Sequence, residues 1–198
     1  PAQFKAIPHN NSSTTMSREG ETAKRPSTAR LESGKVVAFP DEELASYFEQ
    51  RGYGVKREDG AYELSPYEAL YLLEDGRIRV VRSEGGEALS FFELLSLLGE
   101  HNPDLWIGYL IYRDLRKRGY VVRNGFGFGL DFRVYERGEY GKAPAKYIVV
   151  GICEGSPIPV QRVWELLKRI QSLKRELVFA VVDRRSEVVY YTASELTV

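Results

Sequence analysis

The sequence predicts an α+β protein: a small N-terminal α/β module followed by a C-terminal α/β domain built on a mixed sheet. Three observations carry that prediction. Of the 198 residues, 43% are hydrophobic, ample for a core and too many for a disordered chain. Segments of helical period with their own start signals are interspersed with short β-branched and aromatic runs that end at glycines. The break His101-Asn102-Pro103-Asp104 then divides the pattern into two halves. No internal repeat is evident.

Residues 1–34 are rich in Ser, Thr, Asn, Lys and Glu without apolar periodicity, and read as a flexible tail. Met16 is a candidate natural start, which would leave the first fifteen residues, His9 among them, without function. The N-terminal module spans 35–101. It opens with a strand over 35–39, and Pro40-Asp41-Glu42-Glu43 starts a helix that runs to about 50. A hairpin over 53–63 turns at Glu58-Asp59-Gly60. In Ser65-Pro66-Tyr67-Glu68 the serine can cap while the glutamate reaches back, and proline suits the first helical position. That helix points Ala69, Leu70, Leu72 and Leu73 inward and stops near Gly76. Ile78, Val80 and Val81 form a strand, and Ser90-Phe91-Phe92-Glu93 is a second capping box leading a helix to 98.

The second domain, 102–198, begins with a helix to about 117, where Ile107, Leu110, Ile111 and Leu115 recur at helical spacing and Gly119 closes it. Strands follow over 120–122, 130–135 and 146–153. A helix over 160–172 shows Val163, Trp164, Leu167 and Ile170 on one face. Strands over 177–182 and 188–192 flank the turn Asp183-Arg184-Arg185-Ser186.

Composition excludes several functions. Lys plus Arg and Asp plus Glu balance at 28 each, so a strongly basic nucleic-acid binder is not indicated overall, which leaves local basic patches. The single cysteine, Cys153, rules out an internal disulfide framework and fits a reducing cytoplasm; its place in the run YIVVGIC reads as buried packing. With two histidines and one cysteine, neither a zinc site nor another metal or cofactor is expected. No stretch is long and apolar enough for a membrane, and none resembles a signal peptide. Few Met and Cys beside abundant Glu and Arg fit a thermophilic source. The run Gly125-Phe126-Gly127-Phe128-Gly129 lacks the Lys-Ser/Thr of a phosphate loop and precedes a strand, which reads as a twisted turn.

One stretch is more specific. Tyr112-Arg113-Asp114-Leu115-Arg116-Lys117-Arg118-Gly119-Tyr120-Val121-Val122 is followed by Gly125 and then Phe128-Gly129-Leu130-Asp131-Phe132-Arg133-Val134-Tyr135. This resembles the signature of the tRNA-intron (tRNA-splicing) endonuclease family. The likeness continues through Lys146-Tyr147-Ile148-Val149-Val150 and Leu177-Val178-Phe179-Ala180-Val181-Val182-Asp183; upstream, 64–73 resembles that family's N-terminal domain. The resemblance implies a nuclease-type C-terminal domain. It also implies metal-free cleavage of precursor tRNA at bulge-helix-bulge junctions, a 2′-hydroxyl nucleophile, and 2′,3′-cyclic phosphate and 5′-hydroxyl ends. Such chemistry needs a base for the 2′-hydroxyl, an acid for the leaving oxygen and a cation for the crowded phosphate.

The resemblance implies Tyr, His and Lys for those roles. Tyr135 stands at the tyrosine position. Pro144 stands at the histidine position, and its side chain can carry no proton. Arg175 stands at the lysine position, although a shift of one residue would place Lys174 there. Arginine keeps the charge without being equivalent at a tight site. Tyr135 therefore reads as a structural relic, with retained catalysis the alternative, and His101 as an exposed or capping residue. The basic runs offer Arg113, Arg116, Lys168, Arg169 and Lys174 as phosphate contacts, a solvated helix face being the alternative for both. Lys168 falls at or near a position where the family uses arginine to stack on a bulged base.

An intact scaffold with a lost histidine implies the structural subunit of a heterotetramer of two pairs, partnered by a catalytic endonuclease subunit. The alternatives are a catalytic subunit with a rearranged active site and an RNA-binding scaffold outside splicing. The strand 188–192 and the tail 193–198 resemble the family's pairing edge, where β-addition joins subunits. The turn 183–187 before that strand falls where the resemblance implies an acidic plug loop, and Arg184 and Arg185 dilute that acidity here.

Overall fold

A computed structural model describes residues 2–6, 26–83 and 85–195. Its helices begin where local chemistry directs. In α1 (Glu42–Arg51) the Asp41 carboxylate accepts from the Leu44 N–H at 2.8 Å. In α2 (Pro66–Glu74) and α3 (Phe91–Gly99), Ser65 with Glu68 and Ser90 with Glu93 close reciprocal capping boxes. Each satisfies backbone donors that a helix start leaves unpaired. These helices cover a five-stranded sheet in the order β4-β5-β3-β2-β6, from β2 (Ser27–Glu32), β3 (Lys35–Ala38), β4 (Val55–Lys56), β5 (Tyr62–Leu64) and β6 (Ile78–Val81).

Strand β2 lies inside the segment expected to be a tail. Its sequence STARLE has only two apolar residues, but it is flanked by antiparallel β3 and parallel β6, and Ala29 is fully buried. Neighbours on both sides, not propensity, decide its state. Residues 7–25, which include His9 and Met16, lie outside the described residues.

Helix α4 (Leu105–Lys117) joins the two lobes. Leu105 and Tyr109 belong to the N-terminal core, whereas Leu110, Ile111, Tyr112 and Leu115 belong to the core under the second sheet. That sheet has six strands in the order β1-β11-β10-β9-β8-β7. They are β1 (Ala2–Ala6), β7 (Val121–Asn124), β8 (Asp131–Tyr135), β9 (Tyr147–Cys153), β10 (Glu176–Val182) and β11 (Val188–Glu195). Only β9 and β10 run parallel, connected across α5 (Val160–Ser172), which packs Leu166, Leu167 and Ile170 on the face opposite α4.

Three expectations change. Strand β1 pairs antiparallel with β11 from Ala2 opposite Glu195 to Ala6 opposite Tyr191, so the terminal edge is partly covered by the chain itself. Trp164 is half exposed on α5, because the buried stripe passes through Val163, Leu166, Leu167 and Ile170. Cys153 is exposed: as the last residue of β9 it leaves the cover that buries Val149 and Val150.

Candidate functional site

Strand register gathers the three triad positions. Tyr135 ends β8 opposite Val121; Val134 faces Tyr147, the first residue of β9; Tyr147 faces Glu176, the first of β10. The Lys146 N–H donates to the Val134 carbonyl and the Glu176 N–H to the Lys146 carbonyl, both at 3.0 Å. Tyr135, the 136–146 loop carrying Pro144, and Arg175 therefore meet at one end of three adjacent strands.

Their contacts there are packing and backbone contacts. Pro144 is exposed. The Tyr135 ring is half-buried and meets Tyr140 edge-on, centroids 5.1 Å apart. Tyr140 in turn lies over Gly52 of the N-terminal lobe, where an added Cβ would come within 2.6 Å of its ring. Gly52 also has φ of 63°, so glycine alone suits both the backbone and the contact. The loop in the histidine position is thus pinned to the other lobe. Arg175 is half-buried, its Nη1 donating to the Lys174 carbonyl at 2.8 Å, and Lys174 is exposed with φ of 56°.

A second cluster at this sheet end escaped the sequence reading. Glu136 Oε1 accepts from Lys146 Nζ at 2.7 Å and from the Tyr147 hydroxyl at 3.3 Å. The hydrogen bond to Glu136 raises the Lys146 ammonium, and the bond from Lys146 lowers the Glu136 carboxyl. Each partner thus favours the charged form of the other. The link that carries His101 is exposed, and its Asn102 bonds Tyr67. Tyr67 packs edge-on against Phe132 at 5.1 Å, near the start of β8 and away from the Tyr135 end.

Of the basic residues expected at phosphates, Arg116 is placed elsewhere. It is 7% exposed. Its Nε donates to the Tyr112 hydroxyl at 2.8 Å, Nη1 to the Arg51 carbonyl at 2.7 Å and Nη2 to the Val122 carbonyl at 3.0 Å. The guanidinium also lies 4.0 Å from the Tyr53 ring centre. It binds the two lobes together. Arg123 assists, donating to the Gly52 and Gly54 carbonyls at 2.8 and 3.0 Å and pairing with Glu68 at 2.9 Å. Arg116 follows Tyr112 by four positions on α4, but the Arg51 carbonyl that ties it to the other lobe lies 65 positions away, where a helix pattern cannot register it.

Arg113 is half-exposed and pairs with Glu74 at 3.3 Å. Lys168 and Arg169 are exposed on α5; Lys168 Nζ lies 4.6 Å from the Trp164 ring centre, and the Arg169 guanidinium 4.6 Å from that of Phe128. Both keep their charge at the surface, where a phosphate can reach it. The glycine-rich run is a turn around a buried carboxylate: Asp131 accepts from the Phe126 and Phe128 N–H groups at 2.6 and 3.0 Å. A Cβ on Gly125 would lie 1.8 Å from Asp131 Oδ2. Those two N–H groups are therefore occupied by the protein's own anion. Between the lobes a cleft of about 420 Å³ is lined by Lys35, Glu63, Arg123, Asn124 and Arg133 among others. The turn 183–187 is ordered, with Asp183 Oδ1 accepting from the Arg185 and Glu187 N–H groups at 2.8 Å each. Among the described residues no helix is long and apolar enough to cross a membrane, and no three His, Cys, Asp or Glu side chains gather as a metal site.

Comparison with known proteins places this arrangement. The family model for the tRNA intron endonuclease N-terminal domain matches residues 27–95, and that for its catalytic C-terminal domain matches 105–190. The chain is 35% identical over 173 residues to the tRNA-splicing endonuclease of Methanococcus vannielii, covering 87% of this chain and 96% of that one. It is 36% identical over 158 residues to the tRNA-splicing endonuclease of Methanothermobacter thermautotrophicus, covering 79% and 91%. Against the tRNA-splicing endonuclease of Methanosarcina acetivorans identity is 34% over 163 residues, 82% of this chain but 45% of that longer protein.

Proposed function

The chain belongs to the tRNA intron endonuclease family, and on that premise we propose that it is the structural subunit of a tRNA-splicing endonuclease. It pairs with a catalytic subunit, two such pairs forming the enzyme that excises introns from precursor tRNA at bulge-helix-bulge junctions in the cytoplasm. The observation that carries this reading is Pro144, exposed at the sheet end where the resemblance places the proton-transferring histidine. Tyr135 leans on Tyr140, and Arg175 turns its guanidinium to a backbone carbonyl. Without a group to pass a proton between the 2′-hydroxyl and the leaving oxygen, in-line attack lacks its acid and base. The residues left at this end of the sheet support a scaffold that holds RNA and companion in place. Arg113, Lys168, Arg169 and Lys174 supply its surface charge for phosphates.

The test is cleavage of a labelled bulge-helix-bulge RNA in EDTA by the isolated chain and by the chain with its companion. The isolated chain is expected to leave the RNA intact and the pair to cut it. Metal-free cleavage by the isolated chain, with a cyclic phosphate on the product, overturns the reading. It would turn attention to the Glu136–Lys146–Tyr147 cluster, the one observation that favours a rearranged active site. Lys146→Ala would then abolish that cleavage.

A further inference from the structure

We infer that β1 is an exchangeable cap on the edge of the second sheet, and that it keeps this chain from pairing with a second copy of itself. An edge strand presents a row of unpaired backbone donors and acceptors, which accept another strand unless something covers them. Here the cover comes from the same chain, since Ala2 to Ala6 pair antiparallel with Glu195 to Tyr191. Among the described residues that cover ends at Tyr191, while Val188, Val189 and Tyr190 pair with β10 on their inner side.

Beside that edge, Ile152, Ile158, Val163, Phe179, Val181 and Tyr191 line an open apolar hollow of about 370 Å³. Tyr191 belongs both to the hollow and to the capped edge, where it faces Ala6. Next to Val163 on α5, Val160 is 84% exposed and Trp164 50% exposed. A strand edge continuous with an apolar patch is the surface on which another sheet adds.

A second copy fits it by symmetry. Two β11 strands related by a two-fold axis run antiparallel, so each offers the other a matching edge and each places its apolar hollow against the other's. Strand β11 has eight residues against the five of β1, and exchange sets the apolar hollow beside this edge against that of the second copy. What favours β1 is that it is tethered: pairing within one chain does not depend on concentration. The cap therefore holds the isolated chain as a monomer. It yields only to a partner whose strand and apolar surface outweigh it, and that selects the companion subunit over self-pairing. The last step rests on the structural-subunit reading, whereas the cap itself does not.

The test is the oligomeric state of the purified chain, by sedimentation over a concentration series, for the full chain and for a variant beginning at Met16. A full-length variant, Phe4→Pro, removes a backbone donor from β1 without shortening the chain. Both variants are expected to dimerise with a Kd at least about tenfold lower than the full chain. A clamp gives the reverse test: with Cys153→Ser, the pair Lys5→Cys and Thr192→Cys lies at one register position and should hold the oxidised chain monomeric. Equal self-association in all four proteins overturns the inference, as does weaker association on removing β1. None of these measurements depends on cleavage, so failure here leaves the structural-subunit reading to its own assay.

Discussion

Single residues decide how much of the family's chemistry survives. Tyr135 keeps its place but packs against Tyr140 and, by the structural-subunit reading, transfers no proton. Tyr135→Phe is therefore expected to leave cleavage by the assembled enzyme within about twofold. A loss of several orders of magnitude with assembly intact would make this tyrosine catalytic. Arg116 carries the opposite lesson, since its type suggests phosphate while its surroundings tie it to carbonyls from both lobes. Arg116→Ala leaves those buried acceptors without a donor and opens space beneath Tyr53, a loss expected near 3 kcal/mol. Urea unfolding of the variant and the parent measures it. A change below about 0.5 kcal/mol would mean the guanidinium is not holding the lobes.

At the scale of elements, the two capping boxes and the apolar stripe of α4 are legible in order, because their signals lie within a few residues of each other. Strands β1 and β2 are not. Each is defined by a neighbour distant in sequence, β11 for the first and β3 with β6 for the second. Strand β11 also does more than close an edge. Val188 and Tyr190 are buried in the core beneath α4, and the Tyr190 hydroxyl donates to Asp114 at 2.8 Å. Deleting residues 188–198 is thus expected to unfold the second domain, beyond any effect on pairing. Circular dichroism and thermal melting of the truncated chain are the check; a retained cooperative melt would show that β11 is peripheral.

For the whole molecule, buried phenols link the two lobes to pH. Burial pushes Tyr53, Tyr112 and Tyr190 well above the ordinary tyrosine value near 10. A group whose folded value is raised stabilises the fold fully below its unfolded value, and that contribution is lost as pH rises. Stability is therefore expected to hold up to about pH 10 and then fall, each phenol adding about 1.4 kcal/mol per pH unit to the slope. Urea unfolding between pH 8 and 11.5 follows it, and a flat profile above pH 10 would show that these rings titrate freely.

The sequence by itself determined the α+β class, most helix and strand positions, and the family. All of these are local: periodicity, capping chemistry and a contiguous motif need only neighbours along the chain. Tertiary structure alone decided that Arg116 and Arg123 clamp the lobes, that Tyr140 pins the 136–146 loop over Gly52, and that residues 2–6 cover β11. The physical reason is common to the three. A buried guanidinium, a ring on a glycine and an edge strand are each fixed by acceptors or backbone brought from far along the chain, and sequence spacing carries no record of them.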